Sequence, residues 1–195
     1  MKQRGFSLIE LIVATAIFAT VLGTVIGIFV SSLQAQRRLL AHQQLLDSTS
    51  YAIEYMSRAL RMAIKDDVGG VYCLSGEDYV NYERTANGIK FRDYNDKCHE
   101  FYLSTNPTDC RGSAGCLMEN IEGVYTSPLP ITPNDLNITS FNVSLSGEKQ
   151  KIGGVPENLQ PRVTVAIDGE LKVSGQPKIK IQTSVSQRNL DVEKQ

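Results

Sequence analysis

From Leu11 to Gln36 the chain reads Leu-Ile-Val-Ala-Thr-Ala-Ile-Phe-Ala-Thr-Val-Leu-Gly-Thr-Val-Ile-Gly-Ile-Phe-Val-Ser-Ser-Leu-Gln-Ala-Gln, 26 positions without an Asp, Glu, Lys or Arg. As a helix rising about 1.5 Å per residue the stretch spans roughly 39 Å, more than the roughly 30 Å of hydrocarbon in a bilayer. A purely soluble chain is therefore not expected. The averages hide this, because 195 residues with a formal net charge of −1 and 42% hydrophobic residues describe an ordinary globular domain. The absence of Trp, only two His and the near-neutral balance argue against a nucleic-acid binder, which shows a basic domain, and against a zinc enzyme, which needs more His.

Met1-Lys2-Gln3-Arg4 forms a short basic leader to this apolar segment. One reading is a transmembrane anchor with Lys2 and Arg4 on the cytoplasmic side. Another is a secretory signal cut near Ala14-Thr15-Ala16. Against the second, Glu10 sits inside what would be the apolar region, and apolar character continues through Val30 and Leu33. Glu10 is the informative oddity. An acidic side chain near the centre of a spanning helix costs about 3 kcal/mol, and no Lys or Arg follows it before Arg37. Its partner has to come from elsewhere.

The string Gly5-Phe6-Ser7-Leu8-Ile9-Glu10-Leu11 closely resembles the processing site of type IV pilins and type II secretion pseudopilins. The resemblance implies that a dedicated membrane peptidase cuts after Gly5 and methylates the new amine of Phe6. Glu10 then becomes the fifth residue of the mature chain, and subunits pack helix on helix into a filament. A carboxylate at Glu10 facing a neighbour's N-terminal amine at 4 Å gains about 4 kcal/mol at an effective dielectric near 20, which offsets the burial of both charges. The implied partners are the prepilin peptidase and methyltransferase, other pilins or pseudopilins, membrane lipid before assembly, and indirectly an assembly platform and ATPase. The implied location is a single pass through the inner or cytoplasmic membrane, N-terminus cytoplasmic and C-terminal domain periplasmic or extracytoplasmic. Gly23 and Gly27 form a G-x-x-x-G that permits close helix approach, or loosening of the helix during assembly; frequent use of Gly in membrane helices is the stronger explanation.

After Arg37 the helical pattern persists while the composition turns amphipathic. Leu39, Leu46, Ile53 and Leu60 recur every seven residues, with Leu45, Thr49, Met56, Ala63 and Ile64 filling the stripe. Asp66-Asp67-Val68-Gly69-Gly70 supplies a stop, so one helix from Phe6 to about Lys65, roughly 90 Å long, is expected. The broad stripe suits a helix packed on a sheet, and the heptad spacing also allows a coiled-coil seam.

From Val71 onward the period becomes two. Ile89 and Phe91, then His99, Phe101 and Leu103, flank Tyr94-Asn95-Asp96-Lys97 and predict a hairpin. Val163, Val165 and Ile167, followed by Asp168-Gly169 and Leu171-Lys172-Val173, and then Ile179, Ile181, Thr183 and Val185 after Pro177, read as strands buried on one face. The segment from Leu136 to Leu145 changes phase near Ser140, which predicts a bulge. The tail from Asn189 to Gln195 reads as frayed. The expected fold is α+β: a long N-terminal spine helix, transmembrane in its first half and amphipathic in its second, packed on a mostly antiparallel β-sheet domain, as in pilins. The expected organisation is a leader peptide at residues 1–5, a transmembrane and filament-core helix at 6–36, an amphipathic extracytoplasmic helix at 37–67 and a β-rich domain at 68–195.

Cys73, Cys98, Cys110 and Cys116 all fall in the part expected outside the cytoplasm, where an even count reads as up to two disulfides. Three pairings exist; Cys73 with Cys98 and Cys110 with Cys116 is preferred, because the short segment 111–115 closes easily. Zinc is the rival, although no C-x-x-C occurs. Asp93, Asn95 and Asp96, or Asn134 with Asp135, are candidate calcium ligands that turn and loop chemistry explains as well. Asn137-Ile138-Thr139 and Asn142-Val143-Ser144 are glycosylation sequons, and Lys149, Lys151, Lys172, Lys178 and Lys180 are candidate DNA contacts or simply solvated strand faces. No G-x-S-x-G, H-E-x-x-H or P-loop occurs, and His42 and His99 have no evident nucleophile partner. The reading is a non-enzymatic minor pilin-like structural subunit of a type II secretion pseudopilus or type IV pilus, without metal or cofactor, most like a J-type pseudopilin or W-type minor pilin. The alternative is a ligand- or DNA-binding minor pilin of an adhesion or DNA-uptake filament, although nucleic acid is not the expected partner.

Overall fold

The computed structural model describes residue 5 and residues 7–66, 73–74, 80–124, 126–148, 151–152, 155–156, 159–172 and 178–188. The chain divides into two compact units, Met1–Ala41 and His42–Gln195. A single helix, α1 (Leu8–Arg61), enters both. It starts at Ser7, whose carbonyl accepts hydrogen bonds from the amides of Glu10 at 3.0 Å and Leu11 at 3.3 Å.

In the second unit α1 buries Leu45, Thr49, Ala52, Ile53, Met56 and Leu60. Apart from the adjacent pair Ala52 and Ile53, these positions advance by three or four residues and so follow the 3.6-residue turn of a straight helix. The seven-residue series of the sequence does not hold as a buried line. Leu39 is 60% and Leu46 40% exposed, while Ile53 and Leu60 are buried. A strict heptad drifts about 20° per repeat around an uncoiled helix, about 60° from Leu39 to Leu60, and this moves its first members off the packed face.

The helix also ends before Lys65. After Arg61 the chain turns out to pair with strands: the amide of Ile64 donates to the carbonyl of Arg92 at 3.0 Å and that of Asp66 to Val80 at 2.9 Å. The end is capped from outside. The hydroxyl of Tyr82 donates to the carbonyl of Leu60 at 2.7 Å, the amide of Arg188 to Arg61 at 2.8 Å, and the side-chain amide of Gln187 to Ala63 at 2.8 Å. Helix-terminal carbonyls need such donors, and here distant parts of the chain supply them in place of a glycine cap. Asp67 to Gly70, expected to stop the helix, lie outside the described residues, as do Val71, Val173, Pro177 and the tail 189–195.

The strands are β1 (Tyr82–Arg84), β2 (Gly88–Arg92), β3 (Cys98–Ser104), β4 (Cys116–Ile121), β5 (Leu129–Pro130), β6 (Leu136–Ser146), β7 (Lys151–Ile152), β8 (Val155–Pro156), β9 (Arg162–Leu171) and β10 (Lys178–Ser186). They form a five-stranded sheet in the order β1-β2-β3-β4-β5, a three-stranded sheet in the order β10-β9-β6 and the small pair β7-β8. All pairings are antiparallel. The expected hairpin is β2-β3, with Phe91 opposite His99 and Ile89 opposite Phe101. The phase change in β6 is a register shift between Ile138 and Ser140. β9 does not stop at Asp168-Gly169 but runs on to Leu171. Gly169 lies between Ile179 and Ile138, where an added Cβ would sit 3.4 Å from the Leu136 side chain.

One core joins all three layers. Met56 and Leu60 of α1 pack in the same cluster as Ile89, Phe91, Phe101 and Leu117 of the larger sheet and Val143, Val163, Val165 and Ile167 of the smaller. The architecture is α+β, with the second part of a long N-terminal helix packed against antiparallel sheets.

Candidate functional site

In the first unit every described residue of the helix from Leu8 to Leu40 is exposed. It includes large apolar side chains such as Leu8, Ile12, Phe18, Ile26 and Phe29. Its hydroxyls are turned inward on the helix. Thr15, Thr20, Thr24 and Ser31 each donate to the carbonyl three residues back, at 2.8–2.9 Å, so these polar atoms need no water. Among the described residues, α1 alone is long and apolar enough to cross a membrane.

Glu10 lies in the first turn of this helix and is exposed. A carboxylate there faces the positive end of the helix dipole. Ser7 and Glu10 also have the S-x-x-E spacing of a capping box, a signal that gives Glu10 a local use at the helix start. Glu10, Leu11, Ala14, Thr15 and Phe18 line a shallow groove, in which the short Ala14 side chain leaves room beside the carboxylate. Gly5 is exposed with open space around it, and Phe6 lies outside the described residues together with Lys2 and Arg4. Gly23 and Gly27 likewise have no neighbour within 4 Å of an added Cβ, and the helix runs through both without a break.

The cysteines are bonded as Cys73–Cys98 and Cys110–Cys116, with Cα separations of 5.2 and 5.4 Å. The first bridge is organised by Asp66, buried at 2% exposure, whose Oδ2 accepts the amides of Cys73 and Leu74, both at 2.9 Å. Arg92 reaches Asp66 at 3.4 Å and Asp96 at 3.0 Å. The second bridge closes a turn in which Arg111 and Gly112 take positive φ values of 49° and 85°. Gly115 abuts β6, where an added Cβ would meet the Ile138 carbonyl at 2.1 Å, so only glycine fits.

Several of the remaining candidates make structural contacts. Asp93 Oδ1 accepts the amides of Asn95 at 2.8 Å and Lys97 at 2.9 Å, and Asp96 takes a left-handed φ of 64°, so these residues make the β2-β3 turn. Asp135 accepts a hydrogen bond from the Gln44 side chain, and the Asn134 carbonyl accepts one from Ser113. Among the described residues no group of three or more His, Cys, Asp or Glu converges as metal ligands would. Lys178 pairs with Glu170 at 2.9 Å and Lys180 with Asp168 at 3.4 Å across β9 and β10. The Lys178 hydrogen bond, helped by one from Asn137, holds the Glu170 carboxyl below its ordinary range. Lys149 and the side chain of Lys151 lie outside the described residues.

The sequence reading missed a buried polar group. Glu119 Oε1 accepts the Tyr55 hydroxyl at 2.7 Å and sits 2.8 Å from His99 Nε2, both residues of the His-Glu pair being under 5% exposed. The His99 ring stacks on Phe91 with centroids 4.8 Å apart. The available signal was phase: His99 shares the inward face of β3 with Phe101, and Glu119 shares that of β4 with Leu117. Tyr55 thus ties α1 to the sheet through Glu119.

Compared with known proteins, residues 1–26 match the prokaryotic N-terminal methylation motif. That stretch contains Gly5, Phe6, Glu10 and the first half of the exposed apolar helix, and it supports the type IV pilin and pseudopilin family. No curated protein and no solved structure matches the chain.

Proposed function

We propose that this chain is a minor pilin-like structural subunit of a type II secretion pseudopilus or type IV pilus. The observation that carries the reading is the methylation motif at residues 1–26, heading a helix whose apolar surface is left uncovered by its own chain. A prepilin peptidase removes residues 1–5, cutting between Gly5 and Phe6, and the Phe6 amine is methylated. Lipid covers the helix until other pilins replace it, with the β-rich domain on the extracytoplasmic side, where Cys73, Cys98, Cys110 and Cys116 keep their bridges. Glu10 then neutralises the N-terminal amine of a neighbouring subunit and sets the axial register. In this reading residues 6–36 are the membrane and filament-core segment and residues 37–67 the extracytoplasmic one, the helix within it ending at Arg61. Ligand or DNA capture by the β-rich domain gains less support, since Lys178 and Lys180 are each paired with a carboxylate.

Mass spectrometry of the mature N-terminus tests the processing step. A chain beginning with N-methyl-Phe6 is expected; an intact Met1, or a cut near Ala16, would overturn it. Glu10→Ala is expected to leave cleavage and the β-domain intact while assembly fails, and normal incorporation of that variant would remove the charge-pairing role.

A further inference from the structure

The charge-free stretch of α1 ends on two adjacent arginines, Arg37 and Arg38, and two leucines follow them. All four side chains are exposed, Leu39 at 60% and Leu40 at 64%. The arginines have no acid within reach along the helix. Positions three and four residues from them hold Leu33, Gln34, Ala35, Leu40, Ala41 and His42, and no Asp or Glu occurs between Glu10 and Asp47.

The apolar surface of the helix ends at different heights on its two sides. Leu11, Phe18, Leu22, Phe29, Leu33 and Leu40 recur in steps of four and seven and so share one side. Thr20, Gly27, Ser31, Gln34 and Arg38 share the opposite side, turned by about 200° for a step of two residues such as Phe18 to Thr20. Ser31 satisfies its hydroxyl on the Ile28 carbonyl, so this side turns polar at Gln34. The leucine side stays apolar to Leu40, about 9 Å further at about 1.5 Å per residue. A flat membrane surface matches such a boundary only by cutting the helix obliquely. Length asks for the same tilt, since roughly 39 Å of uncharged helix exceed roughly 30 Å of hydrocarbon. Helical side chains lean toward the N-terminus, so both guanidinia reach back over the turn of Gln34, the level of the lipid phosphates.

We infer that Arg37 and Arg38 dock on the phosphates of anionic phospholipid in the leaflet at the Gln36 end of the helix, and that this contact holds the helix tilted with Leu40 submerged. The inference rests on the membrane reading given above. Each guanidinium offers paired donors that match phosphate oxygens, and a lipid of net negative charge brings no ammonium to compete with them. Once residues 1–5 are removed, Arg37 and Arg38 are the only Lys or Arg between Phe6 and Arg58. In the processed chain the attraction to acidic headgroups therefore falls to this pair.

The chain contains no Trp, so Leu40→Trp and Phe18→Trp each supply a single fluorescent reporter. The full chain with either reporter is placed in phosphatidylcholine nanodiscs, with and without about one quarter of phosphatidylglycerol, and quenching by acrylamide from the water is measured. Phosphatidylglycerol is expected to lower the quenching of the Leu40→Trp reporter at least twofold, and adding Arg37→Gln and Arg38→Gln is expected to abolish that difference. The Phe18→Trp reporter is expected to stay shielded throughout. Equal quenching of Leu40→Trp in both lipids, or a lipid effect that survives loss of the arginines, would overturn the inference and leave the membrane reading standing. Quenching of Phe18→Trp from the water would remove both. Inorganic phosphate added to the phosphatidylcholine nanodiscs is expected to change nothing; if it alone shields Leu40→Trp, the pair is a general anion site and the lipid assignment is overturned.

Discussion

Between Leu8 and Leu40 no described residue of α1 is buried, whereas between Leu45 and Leu60 six are. Hydrophobicity alone does not separate these parts, since the uncovered one is the more apolar. The difference is angular. The first part is apolar around its whole circumference, and a sheet of this size could cover only one side of it; lipid or several other helices are needed. The second part is apolar along one stripe, which one folded domain covers completely. The same helix therefore has a half that stabilises the fold and a half that is indifferent to it.

That contrast is most easily broken by truncating one phenylalanine in each part. Phe101→Ala removes a fully buried ring and is expected to destabilise the β-rich domain by about 3–5 kcal/mol, while Phe18→Ala is expected to leave it within about 0.5 kcal/mol. Calorimetric melting reads both, and a large effect of Phe18→Ala would show that the first part is coupled to the domain after all. Next in size come the bridges. Replacing Cys73 and Cys98 by Ser is expected to cost about 2–4 kcal/mol in denaturant unfolding. Removing Cys110–Cys116 is expected to cost less, because it closes a sequence separation of 6 residues against 25.

Tyr82→Phe deletes the hydroxyl that caps Leu60, a loss of about 1 kcal/mol. Burial raises the Tyr82 pKa above its ordinary 10.0, so the folded state holds the proton where the unfolded state releases it. Stability from this group is complete below pH 10 and falls as pH rises beyond it; in Tyr82→Phe the alkaline decline of the melting temperature should be shallower. The smallest effect concerns Glu170. Its lowered pKa means that its contribution is present above the ordinary carboxylate range and is lost as pH falls through the depressed folded value. Lys178→Ala is expected to return that titration, followed by NMR, towards an ordinary glutamate without a measurable change in melting at pH 7.

Period and spacing made much of the molecule readable. Ile89, Phe91, Phe101 and Val163 to Ile167 alternate as strands do, and the phase slip at Ser140 marks the bulge. β4 escaped because Cys116, Leu117, Met118 and Glu119 are all buried, so its two faces show no alternation. Tyr102, Cys110, Cys116 and Met118 form a small cluster of their own behind the sheet, and only the fold shows that this side is covered too. The helix end was misread for a related reason. Lys65 and Asp66 continue a helical composition, but the strand partners Arg92 and Val80 compete for the backbone of Ile64 and Asp66, and no local signal announces them. Glu10 was legible because it is a charge in an apolar run; Glu119 was not, because its partners Tyr55 and His99 lie 64 and 20 residues away in the chain.

The capping of α1 also has a consequence in time. The donors that finish the helix at Arg61 and Ala63 belong to residues 188 and 187, more than 120 positions later. A chain synthesised from its N-terminus therefore leaves the carbonyls of Arg61 and Ala63 to water until the strand that precedes Gln187 arrives and completes them. The domain in this way registers its own completeness: a polypeptide interrupted before that point keeps a loose joint between helix and sheet, where a protease would find it.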